Sequence, residues 1–241
     1  MVFIESNSKE AAHHFSIEEL FTRIIKLPEP VLMLWQTDKT VMLGNNQIVD
    51  AEIDLDFATK SDINIVRRSS GGGAIYTDNG TILYTVIQPL TADAKHYRED
   101  TAEKVISVLT KIGVSAYREG RNDILLDGKK ISGFAQYISG KHICTHGSLL
   151  YDTDIDNLTS VLIPNTEKLQ PKGIASIRSR VTNIKPYANE KYTTVEFFDF
   201  LKKGLLAETQ YRTYELSKDE LIKAEKIKSE KYGNSEWNMS Y

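Results

Sequence analysis

The chain has 241 residues, 41% of them apolar and 26% charged, with a formal net charge of −3 from 30 Lys plus Arg and 33 Asp plus Glu. These proportions exclude disordered, collagen-like and fibrous chains, and the lack of a basic excess argues against a dedicated nucleic-acid binder. The one cysteine, Cys144, excludes a disulfide framework and any multi-cysteine zinc site, which fits a reducing cytoplasm.

In chain order, Met1-Val-Phe-Ile-Glu-Ser reads as a strand entering a polar turn, without the basic flank and apolar core of a secretory signal. The longest apolar runs, within 31–35 and 82–87, fall far short of the roughly 20 residues a membrane-spanning helix needs. Residues 12–26 carry Phe15, Leu20 and Ile24 at helical spacing, Pro28 and Pro30 end that helix, and a strand follows at 31–36. A second strand is predicted at 41–44, and an acidic helix over 50–60, whose charge reads as a solvated face. Strands then follow at 63–66, 73–77 and 81–87, with Asp78-Asn-Gly80 as a hairpin turn between the last two. Ala102, Val105, Ile106 and Leu109 predict a helix over 94–111, closed by Gly113. Strands at 123–127, 130–138 and 141–150 come next, the first two joined by Asp127-Gly128, and beyond 150 the pattern turns helical, ending in a charged amphipathic segment at 217–231. With no repeat or obvious linker, the chain reads as a single domain over 1–241, with a core over about 1–190 and a helical part over about 191–241. The fold class is α+β, a mixed, mostly antiparallel sheet or sheets flanked by helices.

Four stretches carry candidate chemistry. In Arg67-Arg68-Ser69-Ser70-Gly71-Gly72-Gly73-Ala74, three successive glycines weaken a sheet and call for a reason. Close backbone approach to an anionic oxygen, with arginine charge beside it, is one; a bulged turn with two surface arginines is the other. In Gly120-Arg-Asn-Asp-Ile124 and Asp127-Gly-Lys-Lys-Ile-Ser-Gly133, a lysine at a strand start would neutralise a phosphate or polarise a carboxylate, and Asn122 and Asp123 offer oxygens to Mg²⁺. A hairpin with two solvated lysines accounts for the same pattern. In His142-Ile-Cys-Thr-His-Gly-Ser148, Cys144 and His146 share one strand face, which suits either a thiol nucleophile or a buried structural cysteine. Residues 164–191 hold six Lys or Arg against two Glu and read as a loop that closes over a phosphate or docks an acidic partner.

Taken together and in order, these motifs resemble the lipoate–protein ligases, in the superfamily shared with biotin–protein ligases and octanoyltransferases. The resemblance runs from His14-Phe-Ser-Ile-Glu-Glu19 through Leu34-Trp35, Gly44-x-x-Gln47, the glycine loop, Gly-Arg-Asn-Asp, Lys-Ile-Ser-Gly, His-Gly-Ser-Leu-Leu and Lys-Gly-Ile-x-Ser-x-Arg-Ser-Arg-Val-Thr-Asn to Glu236-Trp-Asn238. It implies a biotin/lipoate–protein ligase-like catalytic domain in which lipoate, or octanoate, and ATP with Mg²⁺ give an acyl-adenylate. A lysine of an acceptor then displaces AMP. It implies Lys130 as the catalytic lysine, with Lys129 facing outward. For the adenylate it implies Arg68, Gly73, Ala74, Ile75, Tyr76, Asn122, Asp123, Lys172 and Arg178, and for the acyl chain Trp35, Ser70, Gly72, Thr77, Gly133 and His146. Asp123 would hold Mg²⁺. The acceptors implied are lipoyl domains of 2-oxoacid dehydrogenase complexes or the glycine-cleavage H protein, and the place is the cytoplasm.

Thr77 stands where ligases often have His, Tyr137 where many have a polar residue, and His14 where Asn is usual; the first two bear on acyl preference. The accessory domain that follows the catalytic domain in standard ligases is expected to be absent, which fits either a truncated ligase or a natural short form that works with a separate accessory protein. Two rival readings are a cysteine-dependent acyltransferase, although no cysteine stands at Asn122-Asp123 or in Ile163-Pro-Asn-Thr166, and a non-catalytic lipoyl or nucleotide sensor.

Overall fold

The structure is a computed structural model that describes residues 1–163 and 177–240, apart from the side chains of Asp93 and Lys95. Apolar and β-branched runs build an eight-stranded sheet in the order β11-β1-β2-β6-β10-β9-β8-β7. In chain order its strands are β1 (Val2–Ile4), β2 (Val31–Trp35), β6 (Thr81–Pro89), β7 (Tyr117–Glu119), β8 (Asp123–Leu126), β9 (Lys129–Ser139), β10 (His142–Leu150) and β11 (Arg212–Tyr214). All pairings from β2 to β7 are antiparallel, whereas β1 runs parallel to both β2 and β11. Every residue of β10 is buried, because helices cover both faces of the sheet.

On one face Phe3, Leu34, Tyr84 and Phe134 pack with α4 (Tyr97–Thr110) and α7 (Thr194–Leu206), which contribute Val105, Leu109, Phe197 and Leu201. On the other, Val2, Met33, Trp35 and Cys144 pack with Phe15 and Ile17 of α1 (Ala11–Glu19) and Ala224 of α8 (Lys218–Ile227). Burial of each such large apolar side chain contributes about 1.5–3 kcal/mol before entropy is counted. A smaller sheet, β4 (Asn64–Arg67), β3 (Thr40–Leu43) and β5 (Ile75–Thr77), has the order β4-β3-β5 and shares a third core with α2 (Val49–Glu52), α3 (Leu55–Lys60) and α5 (Ile155–Val161). Two further short helices are α6 (Ile177–Arg180) and α9 (Ser235–Asn238). No helix among the described residues is long and apolar enough to cross a membrane.

The expected strands and helices are present, with four differences. The segments at 73–77 and 81–87 do not form a hairpin: β5 pairs with β3, and β6 with β2 and β10. Asp78-Asn-Gly80 is a corner between sheets, where Asp78 accepts from the amides of Gly80 and Asp154. A Cβ on Gly80 would lie 2.0 Å from the Asp152 carbonyl. The first helix changes pitch at Leu20 into a π turn, Leu20–Ile24. The acidic helix breaks at Asp54, whose side chain caps α3 while buried Ile53 bridges Leu162. Finally β7 and β11 are strands the pattern does not announce, each three residues long.

Candidate active site

The glycine loop leaves the end of β4 with side chains alternating away from and toward the cleft, as the two-residue period of extended chain requires. Arg68 points inward. Its amide donates to Leu43, and its guanidinium donates to Ser70 Oγ at 3.0 Å, to the carbonyls of Met42 and Gly71 at 2.9 Å and to that of Gly73 at 2.8 Å, winding the loop around one buried cation. Burial lowers its pKa to about 10, against the opposing fields of Glu18 and Glu52, and so it stays charged at neutral pH. The loop rests on the turn after β3, since a Cβ on Gly44 would lie 2.1 Å from the Gly72 carbonyl, and Gly72 itself has φ +101°. At Gly71 and Gly73 nothing stands within 4 Å of the missing Cβ, which leaves that backbone open to a ligand.

Opposite the loop, Asp127 (φ 50°) and Gly128 (φ 73°) make the tight turn joining β8 to β9. Ile124 faces Ser132 but Leu125 faces Lys130, so Ile131 is an extra residue and β9 bulges there. The bulge brings Lys130 and Gly133 onto one face: a Cβ on Gly133 would lie 2.8 Å from Lys130 Nζ. Lys130 Nζ pairs with Asp123 Oδ1 at 2.8 Å, both side chains about two-fifths exposed, and the Lys130 carbonyl accepts from Thr182.

The inner end is closed by a buried polar chain. His146 Nε2 meets Ser70 Oγ at 2.6 Å and its Nδ1 lies 3.0 Å from Glu18, which also accepts from Thr85 Oγ1 at 2.6 Å. Thr85 in turn accepts from Trp35 Nε1 at 3.0 Å. Cys144, fully buried beside Glu18 and His146, has its thiol pKa pushed well up by burial and then by the Glu18 charge. That environment suits a structural cysteine and disfavours the thiol nucleophile of the rival reading.

Between these parts lies an open cleft of about 520 Å³. It is lined by the polar Arg68, Asn122, Lys130 and His146, by Gly72, Gly73 and Gly133, and by Trp35 and Ile75, all of them named from the sequence, Gly72 and Gly133 there for the acyl chain and Ile75 for the adenylate. Phe15, Met42, Leu83 and Phe134 complete the apolar wall and were not expected. Asp123 joins through its pair with Lys130, and Ser70 through His146. Other expected residues do not line it. Ala74 and Tyr76 pack into the third core, and Thr77 is buried with its hydroxyl bonded to Thr37 at 2.7 Å. Arg178 pairs with Asp156 on the surface, and Lys172 lies outside the described residues. In the described part of the basic stretch, Lys185 pairs with Asp152 and Lys191 donates to three carbonyls, so much of its charge is engaged internally. Glu18, which joins the site through its hydrogen bond to His146, is not singled out by the sequence; its only signal is its place in the Glu18-Glu19 pair of the first motif.

Residues 10–206 match a family model described as the lipoyl protein ligase A/B catalytic domain. The chain is 34% identical to lipoate-protein ligase LplJ of Bacillus subtilis over 99% of this chain and 73% of that protein. Among curated relatives it spans 62–73% of their length. Two similar solved structures are a bipartite lipoate protein ligase from Thermoplasma acidophilum, described with its E2 lipoyl domain (TM-score 0.82, 26% identity, 99% of this chain and 95% of that one), and a lipoate-protein ligase A bound with ATP (TM-score 0.81, 25%, 99% and 96%). The glycine loop, the bulged lysine strand and the apolar pocket thus stand in a chain that belongs to the lipoate–protein ligase family.

Proposed function

We propose that this chain activates lipoate with ATP and transfers the lipoyl group to a lysine of an acceptor lipoyl domain in the cytoplasm. The observation that carries this reading is that Lys130 lines one cleft together with the glycine loop and an apolar wall of Phe15, Trp35, Met42, Ile75 and Leu83. In the first step a carboxylate oxygen of lipoate forms a bond to the α-phosphorus, and pyrophosphate leaves. In the second, a deprotonated lysine amine attacks the acyl carbon, the bond to the phosphate oxygen breaks, and AMP leaves. The mixed anhydride is already activated, so the residues need only position charge and exclude water. Lys130 bridges the acyl carboxyl and the α-phosphate, and the backbone of Gly72 and Gly73, which lines the cleft, receives phosphate oxygens. Trp35, Ile75 and His146 bound the acyl chain.

The half-exposed Asp123 carboxylate and neighbouring Asn122 at the cleft offer the hard oxygen donors that Mg²⁺ takes alongside phosphates, whose charge it would neutralise. Acceptors of the class this chemistry fits are lipoyl domains of 2-oxoacid dehydrogenase complexes or the H protein. The test measures pyrophosphate release, and transfer from synthetic lipoyl-adenylate to an isolated lipoyl domain, as separate reactions. Lys130→Ala should lose about 10²-fold or more in pyrophosphate release, with Lys129→Ala staying within about twofold of wild type. A wild-type chain that forms no lipoyl-amide even from pre-made adenylate would overturn the proposal.

A further inference from the structure

The sequence pairs Arg67-Arg68 and Ser69-Ser70, and the structure uses one member of each pair on either side of the loop. Arg68 and Ser70 serve the cleft, while Arg67 and Ser69 face the segment 231–240. β4 is the edge strand of the small sheet, so the backbone of Arg67 points away from β3 and would be left open at a buried position. Two side chains of α9 close it: the Arg67 amide donates to Asn238 Oδ1 at 2.9 Å, and Trp237 Nε1 donates to the Arg67 carbonyl at 2.9 Å.

The Arg67 guanidinium, with no exposed surface, donates to the carbonyls of Trp237 at 3.1 Å, Gly44 at 2.9 Å and Gln47 at 2.8 Å, and to that of Ser240. One side chain thereby ties α9 to the 44–47 turn. That turn is the support of the glycine loop: Gly44 abuts the Gly72 carbonyl, and the Asn45 amide donates to the Ser70 carbonyl at 2.9 Å. Ser69 is held from the same side by Lys231 at 2.9 Å and Tyr232 at 2.7 Å.

We infer that Arg67 and Trp237 are positioning residues for the glycine loop, the segment 231–240 acting as a splint that fixes the loop in its adenylyl-binding form. This rests on the proposed ligase reading. Arg67 and Trp237 reach the loop side of the cleft through Gly44 and Gly72, whereas the contact of this segment with the apolar wall, the ring of Tyr232 on Phe15, is made by neither of them. Loosening it should therefore weaken binding of the adenylyl part and spare binding of the acyl part, a split that general destabilisation would not produce.

The experiment titrates wild type, Trp237→Phe and Arg67→Lys with ATP, with lipoate and with a non-hydrolysable lipoyl-adenylate analogue. Trp237→Phe keeps an aromatic ring, smaller than the indole, and removes the Nε1 hydrogen bond, so it should fold. The expected result is a five- to tenfold weaker ATP and analogue affinity with lipoate affinity changed less than about twofold, and a larger loss of the same kind in Arg67→Lys. As a second readout, 5-fluorotryptophan labels only Trp35 and Trp237. The Trp237 resonance, assigned by its absence in Trp237→Phe, should shift with ATP and stay in place with lipoate alone. Equal losses for ATP and lipoate, or unchanged ATP affinity with an unmoved resonance, would overturn the splint. A wild-type chain that binds neither ATP nor lipoate would instead strike the ligase reading itself, and the inference with it.

Discussion

His14 gives this fold a calculable sensitivity to acid. Its Nε2 donates to the Ser8 carbonyl at 3.0 Å, its Nδ1 is buried without a partner, and its ring stacks on Trp35 at 4.4 Å. Burial, only partly offset by the Ser8 hydrogen bond, lowers its pKa to about 3. The unfolded chain, with an ordinary histidine near 6.5, therefore binds the extra proton first as pH falls, and stability declines below pH 6.5. From pH 7 to pH 5 the imidazole withdraws about 2 kcal/mol, and to pH 4 about 3 kcal/mol. Urea unfolding at pH 7, 6 and 5 of wild type and His14→Asn isolates this effect, because the other titrating groups are common to both proteins. The variant should lose the Trp35 stack by a constant amount at every pH and gain about 2 kcal/mol relative to wild type between pH 7 and pH 5. A wild-type minus variant difference that stays flat across that range would refute the reasoning.

Gly44→Ala places a Cβ against the Gly72 carbonyl, and should cost about 1–3 kcal/mol in thermal or chemical unfolding together with a loss of ATP affinity; a variant with wild-type stability and affinity would show that the contact is slack. Cys144 should resist a disulfide-exchange reagent in the native state and react fully once the chain is unfolded, while Cys144→Ala should keep transfer from lipoyl-adenylate largely intact. Fast native labelling, or complete loss of transfer, would contradict the structural role given to this thiol.

The parts of the site that were legible in the sequence are those where a rule of backbone chemistry is broken or enforced. Three glycines beside two arginines announce a loop meant for a ligand, and Asp127-Gly128 announces a turn with positive φ at both positions. What was not legible depends on partners distant in sequence. Asp78-Asn-Gly80 has the composition of a hairpin turn, yet whether the next strand pairs back or crosses to another sheet depends on Asp152 and Asp154. The bulge at Ile131 leaves no mark in Lys129-Lys-Ile-Ser-Gly133, although it decides where Lys130 points. Glu18 looks like a solvated helix acid until Thr85 and His146 are placed against it. Strands of three residues, such as β7 and β11, are too short to carry a period.

The pairing of β1 with β11 bears on how the protein is made. Val2 to Ile4 align with Arg212 to Tyr214, and the terminal amine donates to the carbonyl of Gln210. β1 thus waits for a neighbour some 200 residues downstream, and Arg67 for partners about 170 residues on, Trp237 and Asn238 among them. Contacts of such high sequence separation come with a large loop-closure entropy and slow folding. During synthesis the growing chain therefore exposes an unpaired apolar strand edge until β11 has emerged, and that interval is when a chaperone has most to protect.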